Sequence, residues 1–268
     1  MRKRIRTIVA LAVLAGLALV TPFLAARPGH AASLPQAASD LTDARNEIAA
    51  NFEKATGCTV RLRMGSSGNV LTQLENGAPV DVFLSADIAY PKKLEAEGPA
   101  APGSTYLYAT GKIVVWTPKD SHVDVGKGFS ALRDPLVQKS AVANPAHAPY
   151  GRAAEEALRK AGVYDAEMDR LVLGQNISQA AEFVESGNAD AGILALSRVV
   201  SPAMKDKGYA WNIPENLYMP IQQGAVRAAA NPEGARQFID SIQLPATAAV
   251  FTRYGFTLPT KSSTVGKP

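Results

Sequence analysis

The sequence is poor in the residues that most often do covalent or metal chemistry. Among 268 residues there are one cysteine and three histidines. A lone Cys58 excludes an intramolecular disulfide in any compartment. It falls in the strand-like stretch Cys58-Thr59-Val60-Arg61-Leu62, where a buried structural thiol is the expected reading. His30 sits near the N-terminus, and His122 and His147 stand far apart in loop-like segments. No HExxH, CxxC or paired histidine occurs, so a zinc site is not expected. Gly65-Ser66-Ser67-Gly68 does not fit G-x-S-x-G, and neither a GxxxxGK[ST] loop nor a GxGxxG after a strand is present. Hydrolase and nucleotide chemistry thus have no motif to rest on. With 47% hydrophobic and 19% charged residues, 21 Gly and 18 Pro, the chain is neither a disordered tail nor a collagen-like repeat.

What is present begins with a leader. Arg2, Lys3, Arg4 and Arg6 precede an apolar run of 13 residues, Ile8–Val20, and small residues offer cleavage near Gly29-His30-Ala31. That run is too short to span about 30 Å of hydrocarbon, and no other apolar run approaches about 18 residues. Residues 1–31 are therefore expected to be a signal peptide. It carries no Arg-Arg pair, which favours a Sec-type signal and a soluble periplasmic product. Cys58 is too far from the leader to be a lipidated N-terminus. The formal charge of +4 suggests a nucleic-acid or membrane partner. Removing Arg2, Lys3, Arg4, Arg6 and Arg27 from 28 basic residues leaves 23 against 24 acidic ones, a net charge of −1. No basic footprint for nucleic acid remains.

The remaining chain alternates short apolar runs with helical patterns, the signature of an α/β fold around mostly parallel strands. Leu41, Ala44, Ile48, Ala49, Phe52 and Ala55 have helical spacing, with Gly57 as the stop. Strands are expected over 59–64, 80–84, 112–116, 141–143, 171–173, 191–196 and 219–226. Helices are expected over 90–97, 151–161, 177–186, 234–242 and 246–254, with a short one after Gly68. Two cycles of similar size suggest two lobes, residues 33–115 plus 219–268 and residues 116–218, with the tail rejoining the first.

Small polar turns recur where strands give way to helices: Ser39-Asp40, Ser66-Ser67-Gly68, Ala148-Pro149-Tyr150-Gly151 and Asn176-Ile177-Ser178. The first N–H groups of a helix lack intrahelical partners, and its N-terminus carries about half a positive charge. Four converging ends would sum to about +2, enough to suit a dianion without Lys or Arg. Taken singly, each turn has a structural explanation. Ser39-Asp40 reads as an N-cap, Asn176 with Gln179 as a capping box, and Tyr150 as a core or interface aromatic. Their distribution, two per lobe at the carboxyl ends of strands, is where open α/β sheets bind ligands.

These residues carry a resemblance. Ala37-Ala38-Ser39-Asp40-Leu41, Gly65-Ser66-Ser67-Gly68-Asn69, the block from Gly77 to Asp87, Asn144 to Arg152 and Gly187-Asn188-Ala189-Asp190-Ala191-Gly192 stand in order and spacing. From about Ala37 to Phe256 the chain resembles the periplasmic molybdate-binding proteins, the receptors of molybdate ABC importers. The resemblance implies a type II periplasmic-binding-protein fold, two α/β lobes joined by crossing strands with a ligand cleft between them. It implies an oxyanion, molybdate or tungstate, held by hydrogen bonds only, with no other cofactor and no direct metal ligand. Carried over by position, Ser39 and Ser67 give hydroxyl and N–H donors. Ile177 gives an N–H, and Tyr150 a hydroxyl, an N–H or both. Asp40 falls where relatives offer a backbone N–H. The implied partner is a molybdate permease of the inner membrane, the implied state a monomer and the implied role transport, not catalysis.

Three positions depart from the family pattern. A ligand tyrosine of one branch is Ala195 here, and Tyr150 takes its place as in a second branch. Pro35 interrupts a first strand that is usually apolar and has no N–H for the ladder, so that strand is expected to be short or to start late. Asp40 brings a carboxylate to an anion site, where a unit charge at about 4 Å costs about 4 kcal/mol at an effective dielectric of 20 and a dianion twice that. The expectation is that its side chain caps a helix facing away from the cleft. Rival readings are a receptor of the same fold for another oxyanion or a small carboxylate, the effector half of a transcription regulator, and an exported enzyme using Ser67 as nucleophile. The regulator would need a DNA-binding helix-turn-helix and the enzyme a nearby base; the sequence places neither.

Overall fold

In the computed structural model, which describes residues 35–228 and 233–260, the alternation of runs and helical patterns resolves into two α/β layers. The expected leader lies outside the described residues. The first layer runs β1 (Pro35–Ala38), α1 (Arg45–Thr56), β2 (Arg63–Gly65), α2 (Ser67–Glu75), β3 (Val82–Ser85), α3 (Ala89–Glu97) and β4 (Tyr106–Gly111). The second runs β5 (Ile113–Pro118), β6 (Ser140–Ala143), α4 (Pro149–Lys160), α5 (Tyr164–Glu167), β7 (Leu171–Gly174), α6 (Ile177–Glu185), β8 (Ala191–Ala195), α7 (Leu196–Val199) and β9 (Gly208–Asn212). The chain then returns to the first layer with β10 (Ile221–Arg227), α8 (Glu233–Ile242) and α9 (Pro245–Arg253).

Each layer has a five-stranded mixed sheet, in the orders β2-β1-β3-β10-β4 and β7-β6-β8-β5-β9. In the first, β1 is parallel to β2 and β3, while β10 is antiparallel to β3 and β4. In the second, β6 is parallel to β7 and β8, and β5 is antiparallel to β8 and β9. Gly111 ends a strand of one sheet and Ile113 begins a strand of the other, so the chain crosses at Lys112 and returns between Asn212 and Ile221. This arrangement turns the carboxyl ends of β1, β2, β6 and β7 toward one another. The four polar turns sit on those ends.

Separate cores hold the layers. Beneath the first sheet, α1, α8 and α9 pack together, with Phe52 edge-on to Phe238 at 5.3 Å and Tyr108 tilted over Phe251 at 5.1 Å. Side chains of this size contribute about 1.5–3 kcal/mol each when fully buried. The second core gathers Trp116, Leu132, Leu158 and Leu194. The tail thus rejoins the first layer, because β10 inserts between β3 and β4.

Several local expectations shift. The first helix starts at Arg45 and not at Leu41, because Ser39–Leu41 forms a tight 3-10 turn. Gly57, at φ 72°, stops it as expected. The strand expected over 59–64 is confined to Arg63–Gly65, and β4 and β9 have no counterpart in the sequence reading. Pro35 begins β1 opposite Val82, so the lost donor falls at the strand's start. Cys58 is half-buried, not fully enclosed, and its thiol faces the Thr56 carbonyl at 3.8 Å.

Candidate functional site

The five residues expected to form the site come together. Ser39, Asp40, Ser67, Tyr150 and Ile177 all line one small cavity between the layers, joined by Ser66 and Asn176. Its volume is about 10 Å³, the room of a single water. No Lys or Arg lines it, and no group of three His, Cys, Asp or Glu side chains suited to a metal ion occurs among the described residues.

Local chemistry leaves donors free at this point. Ser67 Oγ accepts the Ala86 N–H at 2.9 Å, which leaves the hydroxyl proton available. Asn176 Oδ1 takes the N–H groups of Ser178 and Gln179 at 3.0 and 3.1 Å, so the first N–H of α6, that of Ile177, stays unclaimed by the cap. Gln179 Oε1 accepts from Gln175 N–H at 2.6 Å, so the return half of the capping box closes one residue early. Pro149 opens α4 without an N–H, which makes Tyr150 the first amide donor of that helix. Gly151 lets the turn lie against β6: a Cβ there would stand 2.1 Å from the Ala143 carbonyl oxygen.

Asp40 departs from expectation. It caps no helix, since the N-cap position of its turn is Ala38 and no side chain bonds there. Its carboxylate is buried, and Oδ2 accepts from the Tyr150 hydroxyl at 2.9 Å and from Gln223 Nε2 at 2.5 Å. Oδ1 has no hydrogen-bond partner among the described residues. Burial pushes the carboxyl up from the usual 3.8 to about 6, against the opposing effects of Gln223, Tyr150 and the Asp40 and Leu41 amides. Burial and the facing carboxylate push the Tyr150 phenol well above its ordinary value, so it keeps its proton. That proton goes to Asp40. The hydroxyl is therefore not free in this geometry, and the N–H is the donor Tyr150 has left.

Further bonds tie the layers across the cavity. Ser178 Oγ donates to the Ser39 carbonyl at 2.8 Å and lies 2.9 Å from Thr42 Oγ1. Ser66 Oγ donates to the His147 carbonyl at 2.6 Å, and Gly68 N–H donates to the same oxygen at 2.9 Å. His147 Nδ1 also lies 3.0 Å from Ser66 Oγ, a contact the sequence did not place. Because the Ser66 proton points to a carbonyl, this pair is a clasp and not a nucleophile with its base. Arg152 pairs with Asp87 at 2.6 Å, and Arg198 with Asp43 at 2.9 Å. Gln223, Ser178 and the two arginines were missed because their partners lie far away in sequence: Gln223 and Asp40 are 183 residues apart. The one available signal was a polar Gln222-Gln223 pair inside an otherwise apolar strand.

Comparison with known proteins agrees with this fold. A family model described as bacterial extracellular solute-binding protein matches residues 36–257. The molybdate-binding protein ModA of Rhodobacter capsulatus is 40% identical over 250 residues, covering 92% of this chain and 94% of the relative. ModA of Azotobacter vinelandii is 40% identical over 224 residues, covering 82% and 88%. The solved periplasmic molybdate-binding protein of A. vinelandii superposes with a TM-score of 0.79 at 36% identity, covering 85% of this chain and all of that one.

Proposed function

The chain belongs to the bacterial extracellular solute-binding proteins, and from that premise we propose that it captures molybdate, and tungstate with it, in the cavity between its two lobes. The observation that carries the reading is the convergence of Ser39, Ser67, Tyr150 and Ile177, from four separate turns, on one cavity lined by no cation. Their free donors are neutral, as suits an anion recognised by count and direction of hydrogen bonds. The 40% identical relatives named for molybdate support the choice of anion. The cavity is smaller than a four-oxygen anion, so the anion enters with the lobes apart, and the interlobe bonds favour the closed form that holds it.

The donor set we assign is the Ser39 and Ser67 hydroxyls and the amides of Asp40, Ser67, Tyr150 and Ile177. The proposed lobes are residues 33–115 with 219–268 and residues 116–218, hinged where the chain crosses between the sheets. The protein acts as a periplasmic monomer that hands its anion to an ABC permease of the inner membrane and catalyses no reaction. Melting the protein with molybdate, tungstate, sulfate and phosphate in turn tests this. A ligand at a hundred times its Kd adds about 2.7 kcal/mol, a rise of roughly 5–11 °C for a chain of this size. A rise with molybdate and tungstate alone is expected. A rise with sulfate or phosphate instead would overturn the named anion.

A further inference from the structure

Tyr150 projects from the second layer into a set of first-layer side chains that fixes its hydroxyl completely. The phenol has one proton, and its two polar neighbours are of opposite kinds. Gln223 Nε2 donates to the hydroxyl oxygen at 2.9 Å, and Asp40 Oδ2, an acceptor only when ionised, receives the hydroxyl proton at 2.9 Å. Tyr108, at the far end, donates to Gln223 Oε1 at 2.7 Å and so sets which way the Gln223 amide faces. The order Tyr108 to Gln223 to Tyr150 to Asp40 leaves no proton for anything else. All four side chains are buried.

Gly111 supplies an independent observation. A Cβ there would stand 2.0 Å from the Tyr150 hydroxyl oxygen, 2.8 Å from Gln223 Nε2 and 2.9 Å from Tyr150 Cζ. The phenol tip therefore rests on bare backbone at the last residue of β4, next to the crossing between the sheets. The groups facing Asp40 from the packed elements are Tyr108 on β4, Gln223 on β10, Tyr150 on α4 and Ser197, which donates to the Asp40 carbonyl from α7 at 2.8 Å. None is a cation. With the lobes apart, the Asp40 carboxylate would lose its phenol donor and would need water instead.

We propose that the Tyr150 hydroxyl is a closure latch and not an anion donor, and that Asp40, held by Gln223, is the positioning residue that receives it. The proposal rests on the oxyanion reading for what the lobes close upon, but the latch itself is made of protein groups alone. It explains why a carboxylate is tolerated beside an anion site: Oδ2 faces the pivot, where Tyr150 and Gln223 donate to it.

A double-mutant cycle on the mature protein tests this, with molybdate as the probe and dissociation followed by tryptophan fluorescence. Tyr150→Phe and Asp40→Ala each raise the molybdate Kd about tenfold or more, mainly through faster release, as expected for losing a hydrogen bond to a charged group. The double variant is no weaker than the weaker single one. Asp40→Asn, which keeps an acceptor for the phenol without the charge, lies between wild type and Asp40→Ala. The proposal is overturned if Tyr150→Phe weakens binding by the same factor with Ala at position 40 as with Asp, because the hydroxyl would then act on the anion directly. If the wild type binds no molybdate, the functional reading fails separately. The cycle is then read from urea unfolding of the protein alone, where non-additive variants support the latch and additive ones overturn it.

Discussion

Replacing Gly68 by alanine should obstruct closure without touching any group that faces the anion. Gly68 lies in the first turn of α2, and its added Cβ would stand 2.5 Å from the His147 carbonyl oxygen, 3.0 Å from His147 Cα and 3.1 Å from its carbonyl carbon. All three are backbone atoms of the opposite layer, so no rotamer change relieves the contact. The turns must part by about 1 Å to restore ordinary van der Waals separation. The Gly68 N–H and Ser66 Oγ bonds to His147 O, at 2.9 and 2.6 Å, and the Ser66–His147 side-chain contact at 3.0 Å would then be stretched or lost. At about 0.5–1.5 kcal/mol each, three such bonds amount to roughly 1.5–4.5 kcal/mol, or about tenfold to a thousandfold in the closing equilibrium. Alanine also favours helix over glycine by about 1 kcal/mol, so α2 itself is not weakened. Calorimetric titration with molybdate should show a Kd raised by that factor, and small-angle scattering a smaller compaction on binding, with far-ultraviolet circular dichroism unchanged. Wild-type affinity and full compaction in Gly68→Ala would refute the claim that this contact belongs to the closed form.

Asp40, raised from 3.8 to about 6, binds a proton in the folded protein that the unfolded chain has already lost, so its contribution to stability is present below about pH 4 and disappears as pH rises through about 6. In urea unfolding, the stability of the wild type relative to Asp40→Asn should fall by about 2 kcal/mol between pH 4.5 and 7.5, and a difference independent of pH would contradict the assignment. Asn176→Ala removes the cap that takes the Ser178 and Gln179 N–H groups and should cost about 1 kcal/mol, read as a drop in Tm of roughly 2–4 °C. Gly151→Ala places a Cβ against the Ala143 carbonyl carbon and the Pro145 nitrogen at 2.8 Å each as well as the Ala143 oxygen, so it should destabilise by about 1–3 kcal/mol or more. Unchanged denaturation midpoints in either variant would show that α4 or α6 begins differently.

Most elements were legible because the signals that set them are local. The Gly57 stop, the Asn176 cap and the apolar runs of β3 and β8 each act within a few residues. Four of the site's turns were legible for the same reason, as each is a strand end followed by a helix start. β9 was not, because it is an edge strand whose residues are mostly exposed, so no apolar alternation marks it. Leu41 had helical spacing but belongs to a 3-10 turn; its burial comes from the tertiary core and not from α1. The capping role expected of Asp40 failed for a deeper reason. Position beside Ser39 and a following helix suggests a cap, while its actual partners come from β10 and α4, which sequence order separates from it by more than a hundred residues.

The charges around the cleft make sense of a receptor without a cation in its cavity. Two arginines bridge the layers, but each is matched. Arg152 pairs with Asp87 at 2.6 Å and donates to the Tyr90 hydroxyl at 2.8 Å, while Arg198 sits between Asp43 and Glu185 at 2.9 Å each. Neither carries surplus positive charge into the interior. At the proposed site an anion would meet the N-termini of α2, α4 and α6, about half a charge apiece, against one carboxylate. Held at about 4 Å, an ionised Asp40 would oppose a dianion by about 8 kcal/mol at an effective dielectric of 20, cancelling about two-thirds of the attraction of three half-charges at the same distance. The carboxylate costs an anion site least when its charge is turned aside and hydrogen-bonded or neutralised by a proton. The structure supplies both routes: Tyr150 and Gln223 draw Oδ2 toward the pivot, and burial raises the carboxyl to about 6, within reach of protonation when an anion arrives. On the proposed site, the side chains that restrain Asp40 would therefore count toward anion capture alongside the amides assigned to the anion.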